Sequence, residues 1–251
     1  MKAEAYYYTN PGGRPVNEDS VDYCVDGDGG LFVLADGLGG HRDGAEASAL
    51  VVEAMLSGWG KKAEGSMSDR LMRCVIRANQ AVLDAQQERG STMKSTVAAL
   101  ALDTARERAA WVHVGDSRLY YLTGGHIYHA TRDHSVTYKK YLSGEISREE
   151  INFDEDRSSL LRAVGKVSGC VPEWGEPPGG GTVSPGDAFL LCSDGFWEYL
   201  YDEEILIDFL KAETPRRWAE LMLLRVLPRM RPESDNLTLL TVFLRETEEE
   251  L

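Results

Sequence analysis

The sequence predicts an α+β protein built from mainly antiparallel sheets with helices packed on their outside. Three observations carry this. Seven short apolar runs have strand character, against three longer helical stretches. Many of the strand-like runs follow one another directly, the order of antiparallel sheets and not of alternating β-α-β units. Their spacing is compatible with two sheets packed face to face.

The strand-like runs are Val21–Val25, Leu31–Ala35, Val97–Leu102, Ala109–Val114, Arg118–Leu122, Ala188–Cys192 and Leu237–Leu244. The first helical stretch, Ala45–Leu56, follows a Gly-rich turn and is rich in Ala. The second, Ser68–Gln87, takes Ser68 as its N-cap and puts Leu71, Met72, Val75, Ile76, Val82 and Leu83 on one stripe. The third, Thr214–Leu227, opens with a Thr N-cap and Pro215 at its first position, then repeats Trp218, Leu221, Met222 and Leu224. The turn-rich stretch from Pro172 to Pro185 is expected to be a surface loop.

Of 251 residues, 43% are hydrophobic and 27% charged, enough apolar surface for a packed core and too much for global disorder. No linker divides the chain, so one domain over residues 1–251 is expected, with a frayed acidic tail at 246–251. The formal net charge of −14 argues against non-specific nucleic-acid binding and against an anionic membrane surface. Cys24, Cys74, Cys170 and Cys192 form no C-x-x-C pair, which fits a reducing compartment. The N-terminus has no signal-like apolar stretch, and no apolar run is long enough to span a membrane. A soluble cytoplasmic protein is expected, acting as a monomer.

The chemistry lies in where acids fall relative to strands. Asp36 ends an apolar run and precedes Gly37; Asp194 does the same before Gly195. Asp116 follows Trp111–Gly115, Asp235 stands just before Leu237, and Glu18 and Asp19 just before Val21. Each Asp-Gly alone is most often a turn. Together they form a constellation, because a strand end fixes a carboxylate and Gly lets backbone approach a ligand. Gathering carboxylates costs repulsion unless cations neutralise them. An all-oxygen donor set suits Mg²⁺ or Mn²⁺, and no His/Cys set points to zinc.

With these residues in view, the chain resembles the metal-dependent Ser/Thr protein phosphatases of type 2C, in their compact bacterial form. The resemblance rests on an ordered series over nearly the whole chain: Arg14-Pro15-Val16-Asn17-Glu18-Asp19, Ala35-Asp36-Gly37-Leu38-Gly39-Gly40-His41, Lys94-Ser95-Thr96, Gly115-Asp116-Ser117-Arg118, Asp133-His134-Ser135, Leu161-Arg162-Ala163-Val164-Gly165, Ser193-Asp194-Gly195 and Asp235-Asn236-Leu237-Thr238. It implies a four-layer α-β-β-α sandwich with the site at one end of the sheets, and two Mn²⁺ or Mg²⁺ ions. It implies that Asp36 bridges both ions, that Asp194 and Asp235 hold one, and that the Gly37 carbonyl holds the other. Glu18 and Asp19 would orient waters, Arg14 would grip the phosphoryl oxygens, and Asp116 would join a third, weaker site. The implied substrate is a phosphorylated protein, either a bacterial Ser/Thr kinase or its target. The run Ser193–Glu198 is similar to phosphatases linked to type VI secretion.

The sequence departs from some relatives at Leu38, where a proton-donating His is replaced and the leaving-group acid is left to water. His41 is expected to be a turn or packing residue. Glu198, one helical turn after Asp194, either reaches a third cation or faces solvent. Asn236 is expected to shape the turn that fixes Asp235. Ser117 and His134 are expected to be structural. The stretch 138–157 matches a variable flap whose charges Lys139, Lys140, Glu145, Arg148, Glu149 and Glu150 form mostly a solvated face, and which could select the phosphoprotein. Two other functions remain: a catalytically weak fold relative that binds or senses phosphoproteins, and a hydrolase of small phosphoesters.

Overall fold

The computed structural model of the chain describes residues 1–26, 29–40, 42–60, 65–148 and 150–247. In chain order its elements are β1 (Lys2–Asn10), β2 (Asp19–Asp26), β3 (Gly29–Leu38), α1 (Arg42–Gly58), α2 (Met67–Arg89), β4 (Lys94–Ser95), β5 (Val97–Asp103), β6 (Arg108–Val114), β7 (Arg118–Thr123), β8 (His126–Ala130), α3 (Val136–Ser143), β9 (Glu173–Gly175), α4 (Pro178–Gly181), β10 (Ala188–Cys192), α5 (Asp194–Trp197), α6 (Asp202–Lys211), α7 (Pro215–Val226) and β11 (Leu237–Arg245). Two 3₁₀ turns, Ile151–Phe153 and Leu227–Arg229, complete the set.

One sheet runs β1-β11-β10-β7-β8 and the other β2-β3-β5-β6-β9, with β4 paired to β3. The pairings among these strands are antiparallel. Residue alternation along each strand then decides the layers. On β3, Leu31, Val33 and Ala35 pack with Val51 of α1 and Leu71 of α2, while Phe32 and Leu34 pack into the space between the sheets. On β10, Leu190 and Cys192 pack with Trp218 and Met222 of α7, while Phe189 and Leu191 point at the other sheet. The result is the four-layer α-β-β-α sandwich that the resemblance implies. At its centre the rings of Phe189 and Tyr121 stack at 4.9 Å.

All seven expected strands form, and so do the three expected helices. The second helix is capped differently from the expectation. Ser66, not Ser68, is the N-cap: its Oγ accepts the Asp69 N–H at 3.1 Å, and the Asp69 carboxylate accepts the Ser66 N–H at 3.1 Å. Asp69 lies three residues after Ser66, which is the reciprocal capping-box spacing, and Ser68 is left buried inside the helix. The stretch from Pro172 to Pro185 is not wholly loop, since it contains β9 and the single turn α4.

Several elements escape the sequence pattern. Among the described residues strand β1 pairs with β11 alone; none of its nine residues is fully buried, and Ala3 and Ala5 pack between the sheets while Tyr6 and Tyr8 pack on the helix side, so neither face stands out. Helix α6 is held by ion pairs, as Arg225 grips Asp208 at 2.6 and 2.9 Å and Arg229 lies on Glu204 at 2.6 Å. The flap contains α3; Lys139, Glu145 and Glu150 are exposed as expected, while Lys140 and Arg148 are half-buried in ion pairs. Lys140 Nζ donates to Asp154 at 3.0 Å and pairs with Asp156 at 2.9 Å, and Arg148 pairs with Asp202 at 3.4 Å. Glu149 and most of the acidic tail lie outside the described residues.

The sheet-to-sheet core gives a direct stability test. Truncating Phe189 to Ala removes a fully buried ring between the sheets and is expected to cost about 3–5 kcal/mol in urea unfolding. An unchanged denaturation midpoint would contradict this packing.

Candidate metal centre

The acids that the sequence puts at strand ends meet on one rim of the sandwich. Asp19 opens β2, and the antiparallel register sets it directly across from Asp36 on β3. Asp194 begins α5 two residues after β10, Asp235 lies two residues before β11, and Asp116 sits in the turn between β6 and β7. Asp36 is the hub, because it interacts electrostatically with Asp19, Asp194, Asp116 and Asp235 alike.

The backbone around these acids is pinned by short polar side chains. Thr96 Oγ1 accepts the Asp36 N–H at 2.9 Å, and Ser95 Oγ donates to the Asp36 carbonyl at 2.9 Å. Ser193 Oγ donates to Asp19 Oδ2 at 2.8 Å and accepts the Thr238 N–H at 3.0 Å, tying one sheet to the other. Asn236 accepts the Glu18 N–H at 2.8 Å and donates to the carbonyls of Pro11 at 2.9 Å and Val16 at 3.0 Å. It thereby holds the segment carrying Arg14 and Glu18 beside Asp235. Gly37 donates its N–H to the Glu18 carbonyl at 3.0 Å, and a Cβ there would come within 1.9 Å of the Gly44 carbonyl oxygen. Only glycine fits that approach.

Burial and crowding set the electrostatics. Burial first, then repulsion from Asp194 and Asp235, pushes Asp19 up to about 7 despite two stabilising hydrogen bonds. Asp194 rises to about 6 for the same two reasons. Asp36 and Asp116 are also held well above the ordinary carboxylate range, by burial and then by their acidic neighbours. Asp19 Oδ1 is buried and accepts no hydrogen bond among the described residues. A set of crowded carboxylate oxygens, one lacking any protein donor, fits hard divalent cations. Glu198 is half-buried beside Asp194, which with burial lifts it to about 7.

Arg14 is at the mouth, half exposed, with Nη2 donating to Asp235 Oδ2 at 2.9 Å. All eight expected site residues, Arg14, Glu18, Asp19, Asp36, Gly37, Asp116, Asp194 and Asp235, therefore fall in one neighbourhood. Leu38 lies on β3, paired with Lys94. His41 lies outside the described residues.

Sequence reasoning missed a buried network beneath the rim. Arg118 makes two 2.8 Å bonds to Asp133. Its guanidinium lies 3.4 Å from the ring centroid of Trp197, whose Nε1 donates to the Asp116 carbonyl at 2.9 Å. The network joins Asp194's helix to Asp116's turn. Ser117 is buried with its hydroxyl 2.7 Å from Thr96 Oγ1, far from acting as an exposed nucleophile.

A second cluster, also missed, brings His113, His134 and Glu173 within 4.8 Å of one another. Hydrogen bonding accounts for it better than a metal does. His134 Nδ1 accepts the Gly115 N–H at 3.2 Å, so the neutral ring carries its proton on Nε2, 3.3 Å from Glu173 Oε2. Both ring nitrogens thus have protein partners, and the Arg162 guanidinium lies 3.1 Å from Nε2 and 3.8 Å from Glu173. Burial, then His113, holds His134 down at about 4, so it stays neutral near pH 7.

Comparison with known proteins completes the picture. A family model described as protein phosphatase 2C matches residues 13–222. The serine/threonine protein phosphatase PstP of Mycobacterium tuberculosis is 32% identical over 203 residues, covering 77% of this chain and 36% of PstP. The PstP catalytic domain in complex with 2 manganese ions superposes with a TM-score of 0.80 at 27% identity, covering 97% of this chain and 99% of that one. PppA of Pseudomonas aeruginosa, described as a key regulatory component of the type VI secretion system, superposes with a TM-score of 0.75 at 29% identity, covering 97% and 98%. No helix among the described residues is long and apolar enough to cross a membrane.

The raised carboxylates make a signed stability prediction. Asp19 and Asp194 have folded values of about 7 and about 6, against 3.8 when unfolded. Their contribution is fully present below the unfolded value and is lost as pH rises through the folded values. In chelator, the thermal midpoint is expected to fall between about pH 5 and about pH 8. Adding Mn²⁺ should raise it, more at the upper end than the lower. A flat profile in chelator, or one that Mn²⁺ leaves unmoved, would remove the electrostatic account of this rim.

Proposed function

We propose, from the premise that this chain belongs to the protein phosphatase 2C family, that it hydrolyses phosphoserine and phosphothreonine in proteins with two divalent cations, Mn²⁺ or Mg²⁺, at the carboxylate rim. The observation that carries the reading is the crowding of Asp19, Asp36, Asp116 and Asp194, each pushed up by burial and by acidic neighbours. Such a group calls for cationic charge, and its donors are all oxygens.

The roles follow from position. Asp36, touched electrostatically by each of the other Asp residues, would be shared by both cations. Asp194 and Asp235 would hold one of them and the Gly37 carbonyl the other. Glu18 and Asp19 would orient waters, and the Asp19 oxygen without a protein donor is available for that. Asp116, with Glu198 nearby, would serve a third and weaker site. When bound, the cations supply a strongly acidified water as nucleophile and offset charge on the phosphoryl group.

Arg14 contributes the planar fork that matches phosphoryl oxygens. Its present partner, Asp235, keeps the guanidinium at the mouth and oriented inward. Leu38 offers no proton, so the departing Ser or Thr oxygen takes its proton from solvent. The physiological substrate on this reading is a phosphoprotein, a bacterial Ser/Thr kinase or its target. The likeness to PppA, itself described as a component of the type VI secretion system, supports extending the proposal to a role alongside such a system.

Phosphate release from a phosphothreonine peptide tests the reading. Turnover is expected with Mn²⁺, is expected to vanish with chelator, and is expected to drop on the order of 100-fold or more in Asp36→Asn and Asp194→Asn. Turnover that survives chelation, or that both substitutions leave intact, would sink the two-cation assignment. Phosphotyrosine and aryl phosphate run alongside rank the substrate classes.

A further inference from the structure

The carboxylate rim opens into a cavity of about 710 Å³ that extends away from Asp116, Asp194 and Asp235 beneath the flap. Its far walls are Tyr138 and Tyr141 of α3, the turn Ile151–Phe153, and the loop carrying Arg229 and Arg231. A cavity of that size takes a ligand of many atoms, not one phosphoryl group alone. It has room for another part of the substrate.

Cationic and anionic side chains share the lining, so what matters is which cation is left without a carboxylate partner. Six arginines and no lysine face the cavity, Arg14, Arg118, Arg148, Arg157, Arg229 and Arg231, beside seven carboxylates, Asp116, Asp133, Asp194, Glu198, Asp202, Glu233 and Asp235. The chain as a whole carries −14. Four of the six are committed to carboxylates: Arg14 to Asp235, Arg118 to Asp133, Arg148 to Asp202, and Arg229 to Glu204. Arg231 differs. It has no carboxylate partner among the described residues, and its guanidinium sits 5.2 Å from the ring centroid of Phe153.

Phe153 is 68% exposed, an unusual state for a large aromatic on a flap. Its ring gives the Arg231 fork a face to lie near, while the in-plane N–H donors stay available to a ligand. The loop end of this pair is anchored. Arg231 N–H donates to Ser234 Oγ at 2.6 Å, and Ser234 Oγ lies 2.8 Å from Tyr199 OH. Asp235 follows Ser234 directly, so the Arg231 shelf and the carboxylate rim belong to one short segment.

We propose that Arg231, laid against Phe153, forms a subsite for a carboxylate side chain flanking the phosphorylated residue, so that the enzyme prefers phosphoproteins with Asp or Glu near the phosphosite. This rests on the phosphatase reading above and specifies its substrate class. An acidic segment would otherwise be repelled by the −14 chain and by the rim itself. The shelf reverses that locally, and a charge-matched partner gains mainly in encounter and selectivity.

The test uses phosphothreonine peptides of one length with Glu, Ala or Lys placed two to four residues from the phosphothreonine, on either side. kcat/KM is measured with Mn²⁺ for the unmodified enzyme, for Arg231→Glu and for Phe153→Ala. The unmodified enzyme is expected to favour the best Glu peptide over its Lys counterpart by about tenfold, the scale of one desolvated charge pair. The difference should appear in KM and shrink as salt rises. Arg231→Glu should abolish or invert the ratio, and Phe153→Ala should reduce it. Because a ratio is read, a general loss of activity in a variant cancels. A Glu-to-Lys ratio near one, or one that Arg231→Glu leaves unchanged, overturns the subsite. If no peptide is turned over, the phosphatase reading fails instead, and fluorescence anisotropy with the same labelled peptides still decides whether Arg231 selects Glu over Lys.

Discussion

The structure is organised around one unfavourable interaction, the mutual repulsion of buried carboxylates at a single rim. Asp36 faces four other Asp residues. Left to itself, such a group would spread apart or take up protons. It cannot spread apart, because each acid is fixed by backbone that the sandwich holds, so without cations it takes up protons instead. The register of β2 against β3 sets Asp19 opposite Asp36. Ser193, donating to Asp19 Oδ2 while accepting from Thr238, fastens the two sheets at the point where their acids meet. The fold thus stores repulsion that a cation can release, and binding and rigidity become the same problem.

The Arg118–Asp133–Trp197 network answers the second half of that problem. A buried ion pair gains little net stability over well-packed apolar groups. Its worth here lies in what it connects. Arg118 leads β7, Trp197 closes the short helix begun by Asp194, and the indole N–H ends on the Asp116 carbonyl. Breaking one member would leave an unpaired charge in a closed site, so the three move together or not at all. The turn with Asp116 and the helix with Asp194 are held in one frame by a device that hydrogen-bonds the Asp116 carbonyl and acts on both carboxylates through charge.

Much of this was legible in the sequence, for a local reason. Most rim acids sit at a strand end beside a Gly or Asn, so Asp36, Asp194 and Asp235 announce themselves within a few residues. The layers were legible because β3, β5 and β10 are apolar on both faces. What stayed hidden depends on partners remote in the chain. Trp197 and Asp116 are 81 residues apart, and His134 and Glu173 are 39 apart. Strand β1 hid because it is an edge strand with half-buried apolar residues on both faces, which leaves no clear alternation. Ser68 looked like a cap because two serines compete two positions apart, and only the Asp69 carboxylate, reaching back to the Ser66 N–H, decides between them.

Leu38 closes the argument about proton supply. Without cations, burial and acidic neighbours hold Asp19 at about 7 and Glu198 at about 7, so both carry protons through much of the neutral range. On the proposed reading these protons leave when cations arrive, because the same positive charge that satisfies the rim pulls its carboxylates back to the ionised form. The loaded site is then rich in acceptors and poor in acids, and Leu38 adds none. The cavity beside the rim is lined by arginines, carboxylates and tyrosines, and its arginines stay protonated and cannot serve as acids near pH 7. Water reaching the rim through that cavity is the remaining donor for the departing alkoxide. The opening that admits an acidic stretch of substrate is therefore the same one that completes the proton balance.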